Sequence, residues 1–374
     1  MKKVSIIVPV FNAGEYIEEC LNAILNQSLD DIEIICVNDG SIDGSLEILR
    51  KYEKEHDNIK VLDQVNQGPS VSRNRAFDVA EGKYIYCMDS DDLITSHMME
   101  ELWNICEEKN LDILYFSGTS FYENEELEKT HSAFVNSYHR KGEYTKVLSG
   151  PELFSKLHDN EDYYPSPCLQ FIRKGLLEET GIRFQEHIIH EDNSFTFMTL
   201  LSAKRAFCVN DIYFYRRVRN DSIMTKSESC ANLRGYFVSL MKQMEFVSAL
   251  NITDVEINKK ITLTLRLLNN HVNRIFPQLS KDEKDRFYQL CTPYERYFFD
   301  SVMLTNIKGN RRRDKDIEKL KAELDRVKKS NSYKIGRIAT YPVRLAKRGW
   351  RCLRKNGFSY TCKQVVKKIR KKLK

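Results

Sequence analysis

The sequence predicts an α/β protein: a mostly parallel sheet flanked by helices, followed by a helical extension and a basic tail. Two observations carry this. Residues 1–118 alternate short apolar runs with longer amphipathic ones, the strand–helix rhythm of a parallel sheet covered on both faces. Two acidic clusters, Asp39 in Val37-Asn38-Asp39-Gly40-Ser41 and Asp89-Ser90-Asp91-Asp92, each directly follow one of the apolar runs. Ligands of open α/β sheets bind at the carboxyl ends of strands, so the acids stand where a site is expected.

Element by element, Val4–Val10 reads as a strand, followed by a helix near Glu15–Gln27. Ile32–Val37 is a strand, with a helix near Gly44–His56 after it. Ile59–Leu62 is a short strand. Pro69 suits a first helical position, and that helix runs to about Ala80. Tyr84–Met88, a helix near Ser96–Lys109 and Ile113–Phe116 complete the repeat. Residues 119–165 are polar and aromatic with weak periodicity and read as an excursion over the site. Cys168–Arg173 is a strand, Phe195–Leu201 an apolar helix, and 206–218 a strand followed by a turn. From about Ala231 to Phe299 the pattern is helical. Ile317, Leu320, Leu324 and Val327 form a short coiled-coil-like seam that hints at a homo-oligomer. The expected division is 1–225, 226–307 and 308–374.

Composition narrows the class. The chain has 374 residues, 41% hydrophobic and 30% charged, enough for a full core in a soluble globular protein. No run of about 18 apolar residues suggests a spanning helix, and Met1–Ile6 lacks the apolar core of an export signal. Ten cysteines are scattered without Cys-x-x-Cys spacing, which predicts reduced, mostly buried thiols. Residues 308–374 hold 25 Lys/Arg against 5 Asp/Glu, so a tail of +20 follows a body of −14. Such a tail, interleaved with Ile335, Ile338, Tyr341, Trp350 and Phe358, suits an anionic lipid surface. Without a binding motif, nucleic acid is not expected.

The chemistry starts from the acids. Asp89 and Asp91 can be aimed by one turn at a single ligand, and Mn²⁺ or Mg²⁺ takes oxygen ligands together with substrate phosphates. A solvated turn, or an N-cap by Asp92, is the plainer alternative. Asp39 can accept a hydrogen bond from a base N–H or a ribose hydroxyl, or cap a helix. Gly68-Pro69 through Arg73-Asn74 offers a helix N-terminus and an Arg for an anion. Glu191-Asp192 precedes an apolar helix. His187 and His190 lack the His-Glu-x-x-His zinc spacing.

As a set, Pro9-Val10-Phe11-Asn12, Asp39-Gly40-Ser41, Gly68…Arg73-Asn74 and Asp89-Ser90-Asp91-Asp92 resemble the family 2 glycosyltransferases, inverting enzymes of GT-A (Rossmann-like) fold. The resemblance is strong over about residues 3–118 and looser over 165–225. It implies a nucleotide-sugar donor, a UDP-sugar above others. It places Pro9, Phe11, Asn12, Asp39 and Arg73 at the nucleoside, Asp89 at the nucleotide or ribose, and Asp91 with Asp89 at a Mn²⁺ or Mg²⁺ ion. Asp192, beside Glu191, matches the general base, and His190 falls at the acceptor pocket. Inverting transfer needs one base for the acceptor hydroxyl and positive charge for the leaving diphosphate. One Arg among residues 216–219 is expected at the diphosphate.

The functional expectation is therefore sugar transfer to a growing, lipid-linked surface glycan such as capsule or O-antigen. The place expected is cytoplasmic, at the inner face of the plasma membrane. The absence of Gln-x-x-Arg-Trp and of spanning helices argues against a processive synthase. A nucleotidyltransferase would need a Gly-rich, basic loop after the first strand, where this chain has Phe11-Asn12-Ala13-Gly14-Glu15. A non-catalytic assembly protein on the same scaffold is the remaining alternative, and the four acids Asp39, Asp89, Asp91 and Asp192 weigh against it.

Overall fold

The computed structural model describes residues 2–219, 228–304, 307 and 322. The seam at 317–327, apart from residue 322, and the basic run beyond 332 lie outside the described residues. The chain divides into two compact units, Met1–Pro293 and Tyr294–Lys374. The first unit holds the whole sheet.

Its strands are β1 (Val4–Val10), β2 (Ile32–Asp39), β3 (Ile59–Gln64), β4 (Tyr84–Cys87), β5 (Leu93–Ile94), β6 (Ile113–Tyr122), β7 (Gln170–Arg173) and β8 (Ala206–Val218). They form one sheet in the order β3-β2-β1-β4-β7-β6-β8-β5. The first four are parallel neighbours. β7 runs antiparallel to β4 and β6. β6 and β8 are parallel, and β5 is antiparallel to β8. Parallel pairings are thus in the majority, within a mixed sheet. The chain moves outward from β1 to β3, then returns to β4 on the other side of β1. That reversal creates a crevice at the carboxyl ends of β1 and β4.

The helices are α1 (Ile17–Leu25), α2 (Ser45–Glu55), α3 (Pro69–Val79), α4 (Met98–Lys109), α5 (Glu125–Thr130), α6 (Gly150–Asp159), α7 (Lys174–Thr180), α8 (Asp192–Ser202), α9 (Cys230–Ala249), α10 (Val255–Ile275), α11 (Lys281–Leu290) and α12 (Pro293–Phe298). Alternate strand residues feed two cores. Val4, Ile6, Val8, Ile32, Ile34 and Cys36 pack with α1, α2 and α4. Ile7, Ile35, Val37, Ile85 and Cys87 pack with α3, α6, α7 and α8. Strands buried on both faces read as continuous apolar runs, which is why β1 and β2 stand out in the sequence. Cys20, Cys36, Cys87, Cys106, Cys168 and Cys208 are buried free thiols, as composition predicts. Among the described residues no helix is long and apolar enough to cross a membrane.

Three elements differ from the sequence reading. Residues 119–165 are more ordered than an excursion: β6 continues to Tyr122, and α6 is a full helix capped by the reciprocal Ser149–Glu152 box. Asp92 is not an N-cap; α4 starts at Met98, and the two-residue β5 lies between them. Residues 206–218 form one long strand, with register irregularities against β6 near Ser117 that the sequence shows only as polar Asn210-Asp211.

Candidate active site

Because β1, β2, β4, β6 and β8 point the same way, their carboxyl ends share one edge of the sheet, and the predicted site residues gather there. Pro9 lies past the last β1–β4 pairing, where its missing N–H breaks no bond to β4. Phe11 is half exposed. Asn12 takes a left-handed backbone, φ 51°, tolerated by Asn. Its side-chain Oδ1 accepts from Ile42 N at 2.9 Å, and its own N donates to Ser41 Oγ at 3.0 Å. The loops after β1 and β2 are thereby sewn together.

Asp39 is buried and already engaged. Its Oδ1 accepts from Gln67 N at 2.9 Å and Gln64 Nε2 at 2.7 Å, and its Oδ2 from Gly68 N at 2.7 Å. It thus sets the loop that leads into α3. A carboxylate offers about four lone-pair sites, so Oδ2 keeps capacity for one further donor.

One turn along α3, Arg73 occupies the centre of the arrangement. The resemblance places it at the nucleoside; the structure turns its guanidinium between two carboxylates. Nη2 lies 2.7 Å from Asp89 Oδ1, and Nη1 lies 2.8 Å from Glu191 Oε1. The ring of Phe184 lies under the guanidinium, 5.1 Å from its centroid. Arg73 therefore joins the turn after β4 to the loop before α8, across 118 residues of sequence. The sequence has no short-range signal for this pairing.

The acidic turn is a second junction. Asp92 is buried and accepts from Arg217 N at 2.8 Å. Burial, then Asp91 and Asp89, push its carboxyl well above the usual range. Asp91 Oδ2 accepts from Arg219 Nε at 2.6 Å, and its backbone O from Arg217 Nε at 2.9 Å. Arg216 instead rests against Tyr138 and Phe134. Of the expected arginines, Arg217 and Arg219 are thus the ones at the acidic turn. Asp89, Asp92 and Cys168 place one ligand atom each within 4.8 Å of one another. Burial lifts the Cys168 thiol well above its ordinary value, and hard cations prefer oxygen to a protonated sulfur. Asp89 and Asp92 offer oxygens that suit a hard divalent ion and the thiol does not; Asp91 falls outside this group as it stands, with its Oδ2 on Arg219. For Asp91 to give both oxygens, Arg219 would have to move aside.

Asp192 opens α8. Burial first, then the Glu191 charge, raise its carboxyl to about 7, against the pull of Asn193 N–H groups and Arg73. Asp192 Oδ1 accepts from Asn193 N at 2.8 Å and Asn193 Nδ2 at 2.9 Å. A carboxylate poised there changes protonation near neutrality, as a general base requires. His190 does not point a free ring into a pocket. It stacks on Tyr236 at 4.1 Å, which stacks on His271 at 4.3 Å. Burial, then His271, lower its pKa to about 4, so the neutral ring receives a hydrogen bond at Nε2 from Asn232 Nδ2 at 3.1 Å. Ser239 Oγ donates to its carbonyl at 3.0 Å. His190 fastens the loop carrying Glu191 and Asp192 to α9 and α10.

A sheet edge of this order, bearing an acidic turn after β4 and an acid pair at the start of α8, defines the GT-A class of fold. The chain carries a family 2 glycosyltransferase domain: residues 5–181 match the family described as Glycosyl transferase family 2. Its curated relatives include the uncharacterized glycosyltransferase EpsJ of Bacillus subtilis, 35% identical over 221 residues, covering 58% of this chain and 62% of that protein. The poly(ribitol-phosphate) beta-glucosyltransferase of Bacillus spizizenii is 32% identical over 275 residues, covering 72% of this chain and 40% of its own. The chain thus spans less than two thirds of the length of either. Among solved structures, Staphylococcus aureus TarS 1-349 in complex with UDP superposes with a TM-score of 0.55 at 24% identity, covering 79% of this chain and 77% of that one. The mannosyltransferase PcManGT from Pyrobaculum calidifontis, in complex with GDP-Man and Mn²⁺, gives 0.51 at 15%, covering 80% and 79%. At these identities the two structures speak to the fold.

Proposed function

We propose that this protein is an inverting, metal-dependent glycosyltransferase that moves a sugar from a UDP-sugar to a hydroxyl of a growing glycan. The observation that carries the reading is the Arg73 bridge, which brings the acidic turn and the base-bearing loop to one place at the strand ends. Support for the donor comes from the relatives, one of them crystallised with UDP. Support for a phosphate-rich polyol glycan as acceptor comes from the poly(ribitol-phosphate) relative.

In this mechanism Phe11 and Asp39 flank the nucleoside. Asp91, with Asp89, would hold Mn²⁺ or Mg²⁺, which when bound supplies positive charge to the departing diphosphate. Arg219, released from Asp91, adds to that charge. Asp192 Oδ takes the proton of the acceptor hydroxyl as its oxygen forms the new bond to the anomeric carbon, and the bond to the diphosphate breaks on the opposite face. Burial, with the Glu191 charge adding to it, holds the Asp192 pKa at about 7, and Arg73 pins the Glu191 carboxylate in place. Incubation with a panel of radiolabelled UDP-sugars and a polyol-phosphate acceptor, with and without Mn²⁺, tests the reading. Release of UDP that depends on the ion and disappears in Asp91→Ala and Asp192→Asn is the expected result. Full turnover by Asp91→Ala without metal would sink the metal role, and no transfer from any UDP-sugar would sink the donor assignment.

A further inference from the structure

Arg140, in the stretch between β6 and α6, is only 5% exposed, and none of Nε, Nη1 or Nη2 has a hydrogen-bond partner among the described residues. Its guanidinium lies between the rings of Tyr115 and Tyr164, 5.4 and 5.8 Å from their centroids. Arginine cannot shed its proton to relieve burial as lysine can. The buried Asp162 acts on Tyr164 and Cys208 alongside Arg140, but its oxygens accept from Lys141 N, Gly142 N and Tyr144 OH. The guanidinium thus still lacks a hydrogen-bonded anion, and a buried cation in that state calls for one.

Three more buried donors linked to this region through Tyr115 or α8 lack acceptors among the described residues. Tyr115 OH donates to Gln170 Oε1 at 3.1 Å, which fixes the amide so that Gln170 Nε2 is left unpaired. Tyr163 OH is unpaired as well and lies within electrostatic reach of both Tyr115 and Asp192. Thr196, four residues after Asp192 on α8, has a buried, unpaired hydroxyl. Of these unmet donors the guanidinium fork is the one whose geometry matches a planar or tetrahedral oxyanion rather than a sugar alone.

We propose that Arg140 heads a buried oxyanion site, for a phosphate or carboxylate group, beside the general base. This deepens the proposed function and rests on it for one arm only: if the anion belongs to the acceptor, the enzyme takes acceptors with an acidic group next to the hydroxyl being glycosylated. If the anion is free, the site is a structural or activating one.

Calorimetry with inorganic phosphate on the full chain tests the shared chemistry. Wild type binds; Arg140→Met does not; Arg140→Lys, with the charge but without the fork, binds about tenfold more weakly. A parallel thermal melt shows phosphate raising the wild-type Tm and leaving that of Arg140→Met unmoved. Glycerol phosphate and glycerol separate the sources. Binding of glycerol phosphate at least tenfold tighter than inorganic phosphate assigns the anion to the acceptor, and equal or weaker binding assigns it to a free ion. Phosphate that binds wild type and Arg140→Met alike, or neither, overturns the proposal. UDP titrated into both proteins reports separately on the donor site, so a chain that binds phosphate through Arg140 but no UDP would defeat the transferase reading and leave the oxyanion site standing.

Discussion

Replacing Arg73 by methionine strips the shared cation from Asp89 and from Glu191, whose side chain is largely buried. Breaking a buried pair from one side costs roughly 3 kcal/mol, to be read as a shift in the denaturant midpoint. The same change removes a charge that holds the Asp192 carboxyl down. The acid limb of the pH–rate profile should then move to higher pH than the limb near 7 expected for wild type. Asp192 itself gives a prediction of opposite flavour. Its folded pKa is raised, so the folded state binds more protons than the unfolded between about 4 and 7, and stability falls as pH rises through that window. Asp192→Asn should therefore melt near wild type at pH 4 and above it at pH 8, while losing transfer activity. A melting temperature that tracks wild type at both pH values would refute the raised pKa. The placing of Asp39, Asp89, Asp91 and Asp192 at the strand ends and at the start of α8 was legible because each follows an apolar run or opens an apolar helix. Their partners were not, because an Arg looks the same in sequence whether it faces a ligand or a carboxylate 118 residues away.

Among the elements, the meeting of the loop before α8 with α9 is set by a missing side chain. A Cβ on Gly235 would lie 2.0 Å from Ile189 O and 3.4 Å from His190 Cδ2. Gly235→Ala must push that loop away from α9, at an overpacking cost of about 1–3 kcal/mol. Since the loop carries Glu191 and Asp192, kcat should fall at least tenfold at a temperature where circular dichroism still shows a folded protein, while UDP affinity stays near wild type. An unchanged kcat would mean that the stack of His190 on Tyr236 does not position the base. Here the sequence was informative in part. Strands buried on both faces announced themselves, and Pro69 marked α3. α6 was passed over because its apolar residues Leu153, Phe154 and Leu157 are few, although Ser149-x-x-Glu152 and Pro151 were a start signal in plain view. β5 is two residues long, too short for any periodicity.

Taken whole, the molecule joins an acidic body to a segment of +20 beyond residue 307. We propose that this segment holds the protein to anionic lipid. The full chain should sediment with phosphatidylglycerol vesicles at low salt, stay in solution with phosphatidylcholine, and be released by about 0.5 M salt, where the Debye length falls to a few ångströms. Retention on neutral vesicles would point to apolar insertion instead. The bond from Arg217 N to the Asp92 carboxylate spans 125 residues, and this has a bearing on synthesis. As the chain leaves the ribosome, β1 to β4 can pair early through near neighbours and Asp89 can meet Arg73, yet Asp91 and Asp92 wait for Arg217 and Arg219 until β8 has emerged. A nascent chain halted near residue 181 would hold Asp89 on Arg73 but leave Asp91 and Asp92 without their arginines and Arg73 without Glu191. Completion of this edge of the sheet is thus a late event in the life of each new copy, whatever the early strands have already done.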